Sequence, residues 1–262
     1  MRLDFRTLSC AFKRLGMNDF VARKRPGLAI LGAVLALGAG SAARAQTTYA
    51  PGGLFVHPTA FTPKAHQYSI YAAAFTQDQE RGINNSYYPF SLTYSPSDRL
   101  QVSGLFVYHQ AADDPSHTHE GVFLKYQILP DTRKTPAFAI AGAYVGNDHL
   151  ESSVAGVFSH AFLRGTRVVA ILHAGAKWGR TGEDDGNVDD VGGFVGAQLP
   201  MSRQWSLVGE TSTRFKFDRS GASSVGVMYE PAHGPGISLG LVNGGRSSRM
   251  KLFFGVAYPF GH

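Results

Sequence analysis

The sequence predicts an all-β fold: an antiparallel up-and-down transmembrane β-barrel of about twelve strands behind a cleaved leader. Three observations predict it. Apolar residues recur at alternate positions over most of the chain, which is the period of a strand. The connections alternate between short turns and longer polar loops. The less apolar strand face carries Ser, Thr, Ala, Gly and Gln, where a soluble exterior would carry about 25 to 35% charged residues. Composition agrees, since 44% apolar and only 17% charged residues exclude a disordered polyelectrolyte.

The leader comes first. Residues 1–45 hold eight Lys/Arg and two Asp/Glu, the whole of the net charge of +6, and the rest carries 17 groups of each sign. No basic footprint for nucleic acid is left in the body of the chain. A basic stretch over 1–26, the uncharged run GLAILGAVLALGAG over 27–40 and Ala43-Arg44-Ala45 read as a secretory signal cleaved before Gln46. As a helix the uncharged run spans ~21 Å, short of the roughly 30 Å of a bilayer core. The single cysteine, Cys10, lies in the leader, so the mature chain is expected to have no disulfide and no thiolate chemistry. No cofactor is expected.

Alternating segments follow at about 67–77, 87–95, 99–110, 121–129, 136–146, 152–162, 166–178, 191–199, 205–215, 222–230, 236–243 and 249–260. The last is the clearest: Leu252, Phe254, Val256, Tyr258 and Phe260 share one face, and Phe253, Gly255 and Ala257 the other. Pro96, Pro130, Pro200, Pro231 and Pro259 close even-numbered segments, a unit of about 30 residues with one proline missing near Arg164. A proline cannot donate to a ladder, so it suits the end of a strand. Charge sorts with the connections: the long loops hold 13 acidic and 6 basic groups, the short-turn end 7 basic and 3 acidic. This puts the long loops, 180–190 among them, outside the cell and the short turns, 201–204 among them, in the periplasm.

The more apolar face is expected to meet lipid, with aromatic rings near the strand ends. These are Tyr108, Tyr144 and Trp178 toward the long loops, and Tyr94, Phe162, Trp205, Tyr229, Tyr258 and Phe260 toward the short turns. Parity turns Lys125, His173, Lys177, Glu210 and Arg214 to the lumen, where they either form a solute-selecting constriction or brace the barrel by cross-strand ion pairs. Glu210 and Arg214 stand about 13 Å apart on one strand, so each needs partners elsewhere, expected on neighbouring strands. The lining is otherwise small (Ser69, Ala73, Ser91, Thr93, Ser103, Ala139, Ala141, Ala155, Ser212) and cannot fill a twelve-stranded interior unaided. Residues 46–66 stand outside the hairpin repeat and carry Leu54, Phe55, Val56 and Phe61. They are expected to tuck into or against the periplasmic mouth, with the barrel itself over 67–262.

On these features, residues 67–260 resemble the outer-membrane β-barrel class of Gram-negative bacteria, and KLFFGVAYPF resembles its terminal assembly signal. Phe260 departs from the pattern in being followed by Gly261 and His262. The resemblance implies an outer-membrane location and, as partners, outer-membrane lipid, lipopolysaccharide and the barrel-assembly machinery. GGLFVHPTA over 52–60 also resembles the opening of YjbH-type exopolysaccharide-associated barrel proteins, which implies a polysaccharide-export partner.

Other chemistry is weaker. Asp113, Asp114, His117, His119 and Glu120 offer metal-ligand types, but on what reads as an exposed loop, so no metal site is expected. Asp185, Asn187 and Asp189 have the alternate spacing of a calcium loop without its closing glutamate. A lipid hydrolase would need histidine and serine on one face. No His-x-Ser occurs, adjacent Ser159 and His160 face opposite ways, and His149 stands three residues from Ser152. The expected function is a small pore or a structural or export-associated channel, not an enzyme. A surface lipid hydrolase and a soluble periplasmic β-protein are the alternatives.

Overall fold

The computed structural model describes residues 53–78, 84–110, 116–146, 151–183, 186–213, 223–243 and 250–260. The expected leader and Arg214 lie outside the described residues. Twelve antiparallel strands close into a barrel in sequence order, with β1 pairing both β2 and β12. They are β1 Gln67–Asp78, β2 Asn84–Ser97, β3 Leu100–Gln110, β4 His117–Leu129, β5 Ala137–Gly146, β6 Glu151–Arg164, β7 Arg167–Glu183, β8 Gly186–Pro200, β9 Trp205–Ser212, β10 Ser223–Tyr229, β11 Gly236–Asn243 and β12 Lys251–Phe260.

Alternation decides which side chains go where. Along β4, Val122, Leu124 and Tyr126 are each half exposed on the outside, while Phe123 and Lys125 are buried on the inside. Ser91, Thr93 and Ser95 of β2 are buried and Leu92 is exposed; Ser238 of β11 is buried, and Leu239 and Leu241 are exposed. Apolar side chains therefore cover the exterior, and the inside is mixed: hydroxyls, Lys125, His173 and Glu210 lie there beside apolar clusters that include Tyr71, Phe75, Leu105, Phe123 and Phe253.

The short-turn end is tightly built. Three register shifts, in β2/β3, β4/β5 and β6/β7, fall at this rim, where a bulge can end pairing without disturbing the wall. The proline missing from the repeat near Arg164 has a structural counterpart: β6 and β7 join through Gly165 and Thr166, and Gly165 has φ 67°. Such a turn needs a left-handed residue, which proline cannot be.

At the other end two expectations are corrected. His117, Thr118, His119 and Glu120 belong to β4 rather than to a loop. The run 180–190 is mostly ladder, with β7 and β8 paired out to Glu183 and Gly186. Loop-like composition misled in both places, because a hairpin that extends beyond an apolar belt keeps its hydrogen bonds while its side chains turn polar.

Candidate functional site

The first described residues lie inside the barrel. The chain passes from β1 back through His66 and Ala65, whose amide donates to Asp98 Oδ1 (2.8 Å) at the β2–β3 turn, and the Thr62 hydroxyl donates to the Asp98 carbonyl. It therefore enters at the short-turn end. Further in, Gln127 of β4 donates to the Ala60 carbonyl (2.9 Å), and the Ala60 amide donates to Ser159 Oγ of β6 (2.8 Å). Ser159 Oγ also bonds His173 Nδ1 of β7 at 2.8 Å. The segment then turns on itself: the Leu54 amide donates to the His57 carbonyl (2.9 Å), and Gly53 bridges Pro58.

Glu210 of β9 is the centre of this arrangement. Its carboxylate accepts from the Val56 amide (2.6 Å) and the Ser224 hydroxyl (2.7 Å) on Oε1, and from the His57 amide (3.0 Å) and ring Nδ1 (2.9 Å) on Oε2. Charge-assisted bonds of this kind are the strong ones, and a carboxylate with no water in reach needs them. The His57 ring also stacks on Phe194 of β8, with centroids 4.5 Å apart.

Leu54 and Phe55 are fully buried among inward side chains of β1, β9, β10, β11 and β12, including Tyr71, Val208, Met228, Val242 and Phe253. The Phe55 and Phe253 rings meet edge to face at 5.2 Å. A glycine makes room: a Cβ on Gly196 would run into Leu54 Cδ1. At Gly226 a Cβ would first meet the β11 backbone at the Leu239 carbonyl oxygen, with Phe55 Cζ at 2.8 Å. Leu54 and Phe55 thus pack against both large and small side chains of the lining.

The residues singled out from sequence fall as follows. Lys125, His173 and Glu210 are buried in the lumen and Lys177 is half-buried. Of the partners expected for Glu210 on neighbouring strands, β10 supplies the Ser224 hydroxyl; the others, the His57 ring and amide, come from the segment, 153 positions away. Parity gives the direction of a side chain, not what it meets there. His57, Ser159, Gln127 and Ser224 were missed as a set. The one available signal was the apolar run Leu54–Val56 set against a lining too small to fill its own barrel.

The aromatic residues gather at the ends. At the short-turn rim Tyr94, Tyr68 and Phe260 stack across β2, β1 and β12 (4.6 and 5.6 Å between centroids), and Trp205 meets Tyr229 at 4.9 Å. Phe162 is exposed there. Tyr144 is exposed toward the other end, Tyr108 lies 6.0 Å from Tyr88, and the Arg180 guanidinium lies 5.7 Å over Trp178. Tyr258 differs from expectation: it is only 6% exposed, in a cluster with Ile70 and Ala72 of β1 and Phe90 of β2.

The candidates for metal and hydrolase chemistry are only partly within the described residues. His117 stands opposite His109, and the His109 and His119 rings lie 6.0 Å apart, but no three candidate ligands converge among the described residues. Asp113, Asp114, Asp185 and His149 lie outside the described residues. Asp189 is held instead by Arg180 through two bonds of 2.6 and 2.8 Å. On the exterior, His160 Nδ1 bonds Asp131 Oδ1 at 2.9 Å. Among the described residues no hydroxyl is bonded to that histidine, so an acid and a base are present there without a nucleophile.

No protein-family model matches the chain, and no curated protein matches it. Among solved structures it is similar to an outer-membrane channel from Pseudomonas putida F1, at 12% identity and a TM-score of 0.48, over 76% of this chain and 97% of that one. It is also similar to the translocator domain of the autotransporter NalP from Neisseria meningitidis. There the identity is 12% and the TM-score 0.47, over 76% of this chain and 90% of that one.

Proposed function

We propose that the chain is an outer-membrane barrel of a Gram-negative bacterium, delivered behind a cleaved leader, that forms a small pore kept closed by its own residues 53–66. The observation that carries this reading is the inversion of the barrel: Leu124 is 50% exposed and Val195 55%, while Lys125 is fully buried inside. In water, an apolar belt of this extent would be an aggregation surface; in a bilayer it is the side that lipid solvates. Aromatic rings at both strand ends suit the two interfaces, and outer-membrane lipid, lipopolysaccharide and the assembly machinery are the partners that such a surface requires. The soluble alternative is disfavoured by the same belt.

The pore half of the proposal rests on barrel size. Twelve strands lie between the eight that side chains fill and the sixteen or more that leave a channel, so what occupies the lumen decides its permeability. Here Leu54, Phe55, His57 and Ala60 occupy it. An exopolysaccharide connection, and with it an export partner, has only the resemblance of 52–60 behind it, and export measured in a deletion strain tests it.

Fractionation of expressing cells with a gel of boiled and unboiled samples tests the location. The protein is expected in the outer membrane and, unboiled, to migrate as a compact SDS-resistant form. Recovery in the soluble periplasmic fraction contradicts the proposal.

A further inference from the structure

We infer that the lumen carries a peptide-recognition site, for a segment turned back on itself that reads aliphatic, aromatic, any residue, then His, and that residues 54–57 are its resident ligand. The inference deepens the closed-pore reading and rests on it. Packing alone could be satisfied by any apolar filler, but three features here are specific. The Glu210 carboxylate reads two consecutive amides, Val56 and His57, together with the His57 ring (2.6 to 3.0 Å), so it recognises backbone direction as well as one side chain. Phe194 stacks on the same imidazole at 4.5 Å. Gly196 leaves a hollow that Leu54 fills, and a methyl group there would collide with Leu54 Cδ1. Backbone bonds that give affinity, with shaped pockets that give selectivity, are the general design of peptide-binding sites.

A site of this kind accepts its ligand from a separate molecule once the resident copy is unseated. While that copy is tethered next to β1, its effective concentration is of millimolar order, and a free peptide cannot displace it. The test therefore uses the full chain carrying Phe55→Asp, which places a charge against Phe253 and leaves every barrel residue of the site intact. Heat-modifiability confirms its folding. In planar bilayers this variant is expected to conduct several-fold more than the parent. A synthetic peptide of residues 53–62, added on the short-turn side, is expected to restore the parent level at micromolar concentration. A peptide carrying the same Phe55→Asp change, the parent peptide added on the opposite side, and the parent peptide on a Phe55→Asp/Glu210→Ala double variant are each expected to have no effect.

If the variant conducts more and the parent peptide does nothing up to millimolar concentration, or if the altered peptide blocks equally, the recognition site is refuted and the closed-pore reading stands. If the folded variant conducts like the parent, the closed-pore reading fails and the recognition site with it.

Discussion

Replacing Glu210 by alanine leaves the His57 ring, two amides and the Ser224 hydroxyl facing one another without an acceptor. Each buried donor left without its acceptor costs about 1 to 3 kcal/mol, so the segment should detach before the barrel wall does. Limited proteolysis of the folded protein is expected to cut between residues 53 and 66 in Glu210→Ala and not in the parent; equal resistance contradicts the role assigned to Glu210. On the exterior, Leu124→Arg places a guanidinium against lipid at a cost of about 2 to 4 kcal/mol. Gln127→Arg, three residues on and facing inward, can still donate to the Ala60 carbonyl. Refolding titrations into lipid vesicles should therefore show Leu124→Arg much the more damaging, and the reverse order would invert the two faces. That Lys125, His173 and Glu210 point inward was legible from alternation alone. That Glu210 meets His57 was not, because a contact between residues 153 positions apart leaves no local trace in a pattern of period two.

Individual strands were legible where an outward apolar residue alternates with a lining residue, as in β4, and less so where they leave the apolar belt. The β7–β8 hairpin shows why: past Trp178 and Val191 its ladder continues through Arg180 and Asp189, yet its composition is that of a loop. The bidentate bond to Arg180 holds the Asp189 carboxyl below its ordinary value. A carboxyl depressed on folding contributes stability above its unfolded value and loses it as pH falls through the folded one. The protection factor of amides beside Arg180 and Asp189, with the intrinsic pH dependence of exchange divided out, is therefore expected to fall in acid, below the ordinary aspartate range, and to lose that dependence in Asp189→Asn. An unchanged profile in the variant would remove the ion pair from the account. The hairpin also offers a test of orientation. A cysteine at Gly186 should react with a membrane-impermeant maleimide on intact cells and one at Ser202 should not. Equal labelling would contradict the assignment of long loops to the cell exterior.

At the scale of the molecule the architecture was largely legible, since twelve alternating segments in sequence order admit few closures other than a meandering barrel. The content of the lumen was only half legible. Small lining residues implied a space, and Leu54, Phe55 and Val56 offered something apolar to put in it, but the hollow at Gly196 emerges only when β8 and the segment are brought together. Everything functional follows from the claim that the apolar face looks outward to lipid and the polar face inward to residues 53–66. A scan of single cysteines carrying a fluorophore tests it directly, read in vesicles whose acyl chains bear a nitroxide quencher. Quenching along β4 should alternate, strong at Val122, Leu124 and Tyr126 and weak at Phe123, Lys125 and Gln127, with weak quenching at Val56. Uniform weak quenching along β4, or an alternation of the opposite phase, would contradict the account.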